Sequence, residues 1–273
     1  MSADDSGAVL ETYLNIAFSF SQGVVQIWGA EAASGRLMRA LNGFHALGQP
    51  GLEGPAAAVL QHLARIPYNS MESLVYVTNV SHLVYATTLF DTFLSETTQF
   101  LFLLLPQAMG ENQPVPLRAL IDAASKNEAI AQAASARTRE IGHLTFAERI
   151  QVLRETFGLD ITLSTETADG LAHVASVRDG AANDQGTFPL RLDDRGNVVP
   201  RKNVTRKVSR QNAARQHTTK IGGDNVRRAI DSYEQAARAV ARAVFTQVLK
   251  QSDHPAVQLV LKGSTARLEL NAS

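Results

Sequence analysis

The fold is decided by residues 70–105, SMESLVYVTNVSHLVYATTLFDTFLSETTQFLFLLL. Apolar side chains recur in this stretch at mixed three- and four-residue steps, which is the spacing that lines one face of an α-helix. These positions are Leu74, Val77, Leu83, Leu89, Phe90, Phe93, Leu94, Phe100 and Leu101. Pro106 then ends the pattern, because proline lacks the backbone N–H that a helix needs. The sequence therefore predicts one long helix at the centre of the hydrophobic core.

Helical patterns also occupy most of the chain on either side of this stretch. They cover residues 8–47, 56–65, 117–141, 148–157, 165–179 and 225–251, with a glycine- and proline-rich loop at 48–55. The clearest boundary signal is Thr145-Phe-Ala-Glu148, a capping box in which each end residue can serve a backbone amide of the other. Gly158 is a natural left-handed stop for the helix that this box opens. Asp224 is a plausible N-cap for the last long helix.

In two stretches, apolar and polar residues alternate as they do in the strands of short β-hairpins. TFPLRLDDRGNVVPRK, residues 187–202, centres on an Asp-Asp-Arg-Gly-Asn turn, and AVQLVLKGSTARLELNAS, residues 256–273, turns at Gly263 and Ser264. We therefore predict an all-α fold: an up-and-down bundle of four to six helices with one or two small β-hairpin insertions. Residues 1–69 would form an N-terminal helical segment. Residues 70–273 would form the bundle, with a basic insertion at 185–223 and a C-terminal hairpin.

The composition excludes several classes of function. The chain has no cysteine, so a disulfide framework, a thiolate metal site and a cysteine nucleophile are ruled out. Its seven histidines show no metal-ligand spacing, and no phosphate-binding loop or dinucleotide fingerprint is present, so we expect neither a metal nor a cofactor. The acidic N-terminus is unlike a signal peptide, and the most apolar run, residues 100–105, is far shorter than the roughly 20 residues of a membrane helix. We expect a soluble, cytoplasmic protein that does not associate with membranes.

The zero net charge hides an uneven distribution of charged residues. Residues 1–105 contain three basic and eight acidic residues, whereas residues 201–228 contain nine basic residues and one acid, Asp224. This basic segment either is a solvated loop or forms a surface that follows nucleic-acid phosphates. The second interpretation predicts phosphate contacts from Arg201, Lys202, Arg206, Lys207, Arg210, Arg215 and Lys220. No aromatic residue lies among them, so such contacts would depend on charge and shape rather than on base stacking.

A cluster of polar residues follows an apolar stripe in VRDGAANDQG, residues 177–186. Leu171, Val174, Ala175 and Arg178 fall on one helical face, so Arg178 extends an apolar stripe. We expect Gly180 and the following residues to break the helix, which would leave Asn183 near a turn and allow it to face one pocket with Arg178. The structural alternative is an arginine that binds the last carbonyl groups of its helix, followed by an ordinary turn.

Taken together, the long helix, the LTFAERIQVL box and the helix that ends in Arg178-Asp179 resemble the HEPN superfamily over residues 70–250, with an interruption at 185–223. The hallmark of that family is R-x4-6-H, usually with a polar residue after the arginine. The resemblance implies a helical, dimeric, metal-independent endoribonuclease in which the arginine stabilises the phosphorane and the histidine acts as the general base. Arg178, Asp179 and Asn183 occupy the motif positions here, and Asn183 replaces the histidine.

Asparagine does not titrate, so it cannot remove the proton from a 2′-hydroxyl group. The loss of an acid–base group typically lowers the rate by about 10²–10⁴-fold. The resemblance therefore implies an RNA- or nucleotide-binding protein with a degenerate ribonuclease site. It would act as a homodimer in a bacterial-type defence or toxin–antitoxin system, with RNA and a cognate antitoxin or defence protein as partners.

Two alternatives remain open. The first is an active endoribonuclease that combines Arg178 with His173, with His143 or with a histidine of a partner; Arg137 and His143 also satisfy an R-x5-H spacing. The second is a non-catalytic structural dimerisation module in which the motif is coincidental.

Overall fold

The structure is a computed structural model that describes residues 3–46, 68–110, 123, 125–183, 191–192, 198–199 and 223–262. These residues are overwhelmingly α-helical, which confirms the all-α class. None of the described helices is long and apolar enough to cross a membrane.

Seven α-helices are present in the described part of the chain, one more than the four to six that were predicted. They are α1 (Ala3–Ala46), α2 (Tyr68–Leu104), α3 (Lys126–Gly142), α4 (Phe146–Phe157), α5 (Thr165–Asn183), α6 (Gly223–Ala243) and α7 (Pro255–Lys262). A 3₁₀ turn, Pro106–Met109, follows α2, and a π-helical segment, Val244–Val248, extends α6. The predicted helix at 56–65 and the loop at 48–55 lie outside the described residues.

Contacts between residues group the chain into two compact units. Unit 1 consists of Met1–Gly29, Tyr85–Ala172 and Arg228–Ser273, and unit 2 consists of Ala30–Val84 and His173–Arg227. Helices α1, α2, α5 and α6 each contribute residues to both units.

Helix α2 supplies the centre of the core of unit 1, as its sequence predicts. Phe90 stacks on Tyr233 of α6 at 4.8 Å between ring centroids and meets Phe146 of α4 edge-on at 5.1 Å. Phe100 stacks on Tyr13 of α1 at 5.0 Å. Six of the predicted α2 positions are buried, namely Leu83, Phe90, Phe93, Leu94, Phe100 and Leu101. Aromatic contacts of this kind add about 0.5–1.5 kcal/mol each beyond the area that they bury.

The boundaries of α4 follow its capping signals. The Thr145 hydroxyl accepts a hydrogen bond from the Glu148 amide, and the Glu148 carboxylate accepts one from the Thr145 amide at 2.8 Å. The hydrogen bond from the Thr145 side chain, together with that from its amide, holds the pKa of Glu148 below its ordinary value. At the other end, Gly158 has φ 66°, a left-handed conformation that glycine adopts without steric cost. The predicted capping box and stop are both confirmed.

Helices α5 and α6 approach closely at Gly170. A Cβ atom built there would lie 2.0 Å from the Ser232 Oγ and 2.9 Å from the Ser232 Cβ. Ser232 itself donates a hydrogen bond to the Arg228 carbonyl at 2.8 Å, which fixes its rotamer along α6. Glycine at 170 therefore permits a helix contact that any larger residue would obstruct.

Three sequence predictions need correction. Residues 256–262 form most of α7 rather than the first strand of a C-terminal hairpin: Val257 and Val260, three residues apart, are buried, and the Ala256 amide donates to His254 Nδ1. Helix α3 begins at Lys126 rather than 117, with Ser125 as its N-cap. Helix α6 begins at Gly223, so Asp224 lies in its first turn rather than at the N-cap.

The described part of the first predicted hairpin is short. Arg191 pairs with Val199 and Leu192 with Val198 in antiparallel orientation. The turn between them and the rest of residues 187–202 lie outside the described residues, as does the second half of the predicted C-terminal hairpin at 263–273.

Candidate functional site

The predicted site lies at the end of α5, which continues without a break through Arg178 to Asn183. Leu171 and Val174, the first members of the apolar stripe, are buried at 4% and 2% exposure. The expected helix break before Asn183 is therefore wrong, since Asn183 is the last helical residue. At 3.6 residues per turn, positions 178 and 183 lie roughly 140° apart around the helix axis. The side chains of Arg178, Asp179 and Asn183 lie outside the described part, so their roles stay predictions.

The seven basic residues predicted to contact nucleic acid also lie outside the described residues. They are Arg201, Lys202, Arg206, Lys207, Arg210, Arg215 and Lys220. The described chain resumes at Gly223, where α6 begins. Its first turns include Arg227 and Arg228, the last two basic residues of the segment.

His173, one of the alternative general bases, is half-buried on α5, five residues before Arg178. Its Nε2 lies 3.5 Å from the Oδ1 of Asn225 in the first turn of α6, which is a long, weak polar contact. The contact joins α5 to the start of α6 within unit 2.

The second alternative pairs Arg137 with His143. The Arg137 guanidinium is bound at 2.7 Å by Glu140 on the same helix, and both side chains are well exposed. His143 ends α3: its amide donates to the carbonyls of Glu140 and Ile141, and its side chain is exposed. These residues therefore contribute to the surface and to the end of α3.

An ion pair between Glu31 of α1 and Arg227 of α6 also lies within unit 2. Arg227 donates from Nε to Glu31 Oε1 at 3.1 Å and from Nη2 to Oε2 at 3.3 Å, so the ion pair is bidentate. The Glu31 side chain is only 12% exposed, whereas that of Arg227 is 51% exposed. A Cβ atom at Gly223 would lie 3.4 Å from Glu31 Oε1, so the carboxylate sits against the positive end of α6.

The most deeply buried charge that the sequence analysis missed is Arg149 on α4, at 1% exposure. It pairs with the Asp91 carboxylate of α2 and donates from Nη2 to the Asp91 carbonyl at 3.1 Å and to the Ser95 hydroxyl at 2.8 Å. The guanidinium carbon lies 5.9 Å from the ring centroid of Phe146. These partners lie on α2 and α4 and Arg149 itself is almost fully buried, so this arginine joins α4 to α2 and is not accessible to a ligand.

A second buried charge cluster lies on α6. Glu234 is buried, and its carboxylate is 4.0 Å from the Nε of Arg238 one turn later. Partial desolvation, with the nearby carboxylate of Glu234, raises the pKa of Asp231 above its ordinary value, and Arg238 opposes this effect. The adjoining void has a free volume of about 20 Å³, which accommodates one water molecule.

The described residues include no group of three histidine, aspartate or glutamate side chains that could hold a metal ion. Comparisons with protein-family models, with curated proteins and with solved structures found no match to this chain. Among the described residues, Arg227 and Arg228 are exposed arginines at the start of α6.

Proposed function

We propose that this protein is an HEPN-like RNA- or nucleotide-binding protein with a degenerate ribonuclease site at the end of α5. The proposal rests on one observation: Arg178 continues the helical stripe of the buried residues Leu171 and Val174, and an asparagine occupies the position of the family's histidine. Arg178 lies four residues after Val174 and seven after Leu171, so all three positions share one face of α5. An arginine that continues a buried stripe favours a ligand or a partner chain as its contact.

The chemistry of these two residue types favours binding without cleavage. Arginine is always protonated and offers a planar fork of N–H donors that matches a phosphate group. Asn183 can donate to a phosphate or accept from a hydroxyl, but it cannot take a proton from the RNA 2′-hydroxyl. In our proposal Arg178, with Asp179 beside it, binds a phosphate that the site no longer cleaves, and Asn183 occupies the position of the family's histidine.

The basic segment at 201–228 supports RNA as the ligand. Nine basic residues against one acid favour association with a polyanion and release of its counterions. The logarithm of the binding constant should then fall with the logarithm of salt concentration by roughly 0.7 for each phosphate contacted on a single strand. A homodimer would place two such segments on one ligand. The proposed setting, a bacterial-type defence or toxin–antitoxin system with a cognate partner, follows from the family resemblance.

The test is a titration of end-labelled RNA in EDTA, read for both binding and cleavage. We expect binding that weakens with salt, no product with a 2′,3′-cyclic phosphate end, and a loss of affinity in Arg178→Ala. Arg139→Ala is the matched control, because Arg139 is an exposed arginine on α3. Cleavage that disappears in Arg178→Ala would establish the active nuclease instead. Absent or salt-insensitive binding would favour the dimerisation module.

A further inference from the structure

The Glu31–Arg227 pair differs from an ordinary surface ion pair in the environment of its acid. Exposed pairs hold two mobile side chains and stabilise proteins little. Here the carboxylate is 12% exposed and lies against the start of α6, while the arginine is half exposed. The buried partner is therefore the fixed one, and it sets the direction of the exposed one.

One edge of the Arg227 guanidinium has no acceptor among the residues that the structure describes. A guanidinium group has five N–H donors. Glu31 accepts from Nε and from one N–H of Nη2, which is the side edge of the group. The three other N–H donors, on Nη1 and Nη2, have no acceptor within the described part of the chain. Two of them, one on each Nη nitrogen, form the outer edge, which can bind two oxygens of a phosphate at once.

We propose that Arg227, oriented by the carboxylate of Glu31, binds a phosphate group through the outer edge of its guanidinium. This inference rests on the proposed function, because it names a second phosphate contact for the same ligand. Glu31 is the positioning residue: it does not touch the ligand, but it holds Arg227 in one orientation and so lowers the entropy lost on binding. The phosphate belongs either to an RNA backbone or to a free nucleotide.

The role of Glu31 can be separated from simple charge attraction. Glu31→Gln removes a negative charge, so attraction alone predicts tighter binding of a polyanion. Loss of orientation predicts the reverse, because the neutral amide binds Arg227 less strongly than a carboxylate does. Glu11→Gln is the matched control, since Glu11 is an exposed acid on the same helix and its loss changes the net charge equally.

The experiment measures the affinity of the full-length protein for a labelled 20-nucleotide RNA at two salt concentrations. Arg227→Ala should weaken binding about threefold to tenfold and lower the salt slope by roughly 0.7, whereas Arg242→Ala, at an exposed position on the last turn of α6, should change neither appreciably. Glu31→Gln should weaken binding although Glu11→Gln does not. Thermal melting checks that each variant is folded. If Glu31→Gln unfolds the protein, Glu31→Asp, which keeps the charge but shortens the side chain, takes its place with the same expected loss.

Each outcome bears on one proposal or the other. Equal losses in Arg227→Ala and Arg242→Ala, or tighter binding by Glu31→Gln, would overturn the oriented-arginine inference alone. A loss of RNA affinity in Arg227→Ala, with unchanged affinity in Arg178→Ala, would support this inference and overturn the proposed site on α5. A wild-type protein that binds neither RNA nor ADP would overturn both. Competition by ADP that depends on Arg227 would assign the phosphate to a nucleotide, and its absence would assign it to the RNA backbone.

Discussion

Substitution of Gly170 by alanine tests the close contact between α5 and α6. A Cβ atom at this position would lie 2.0 Å from the Ser232 Oγ and 2.9 Å from the Ser232 Cβ. The hydroxyl can rotate away at the cost of its hydrogen bond to the Arg228 carbonyl, but the Cβ moves only with the backbone of α6. Carbon atoms pack at about 3.5–4.0 Å, so α5 and α6 would have to separate by roughly 0.6–1 Å.

The loss of stability in Gly170→Ala can be sized by comparison with Gly29→Ala. Gly29 lies inside α1, and a Cβ atom built there has no atom within 4 Å. Both substitutions gain the same helix propensity, about 1 kcal/mol in favour of alanine. Gly170→Ala alone adds an overpacking cost of about 1–3 kcal/mol. The free energy of unfolding of Gly170→Ala should therefore be about 1–3 kcal/mol lower than that of Gly29→Ala, which itself should exceed the wild-type value.

Urea denaturation, monitored by circular dichroism at 222 nm, measures this difference in the free energy of unfolding. In a Ser232→Gly background, which removes both clashing atoms, Gly170→Ala should become as favourable as Gly29→Ala. If Gly170→Ala stabilises the unmodified protein as much as Gly29→Ala does, the close approach of α5 and α6 is refuted.

Two further predictions concern the charged residues Asp91 and Asp231. Asp91→Ala leaves the buried Arg149 without its carboxylate partner and should lower the free energy of unfolding by about 3–5 kcal/mol. Arg149→Met should lower it less, because the Asp91 side chain is 52% exposed and can be rehydrated. Urea denaturation measures both values, and the reverse order would contradict this assignment. Asp231→Asn should raise the melting temperature at pH 7. A carboxyl group whose pKa is raised by folding destabilises the native state once the pH rises above its unfolded pKa, so the gain should vanish below about pH 3.5, where both states are protonated. A gain that persists at low pH would assign the effect to packing instead.

The sequence predicted those features of the fold that depend on neighbouring residues. The apolar period of α2, the capping box at Thr145 and the stop at Gly158 act over one or two helical turns, and all three are present. Residues 256–262 were assigned wrongly because their β-branched and apolar residues fit a strand as well as a short helix. What decides the outcome is the burial of Val257 and Val260 together with the contact from His254, and burial depends on distant parts of the chain.

The contacts of charged residues also depend on distant parts of the chain and could not be predicted from local sequence. Arg149 lies on the apolar face of α4 with Phe146, Ile150 and Leu153, so the reasoning that singled out Arg178 would have found it too. Its partner, Asp91, is 58 residues away, and no local pattern connects the two. Glu31 and Arg227 are separated by 196 residues, so their contact is likewise visible only in the folded chain. Sequence periodicity can place an arginine on a face, but only the structure shows what it meets there.

The most direct test of the central proposal is the affinity of wild-type protein and of Arg178→Ala for labelled RNA in EDTA, with the same samples examined for cleavage. We predict that the wild type binds without producing 2′,3′-cyclic phosphate ends and that Arg178→Ala binds more weakly than the wild type and the Arg139→Ala control. Arg178-dependent cleavage, or equal affinity in all three proteins, would contradict the assignment of a non-cleaving phosphate site to the end of α5.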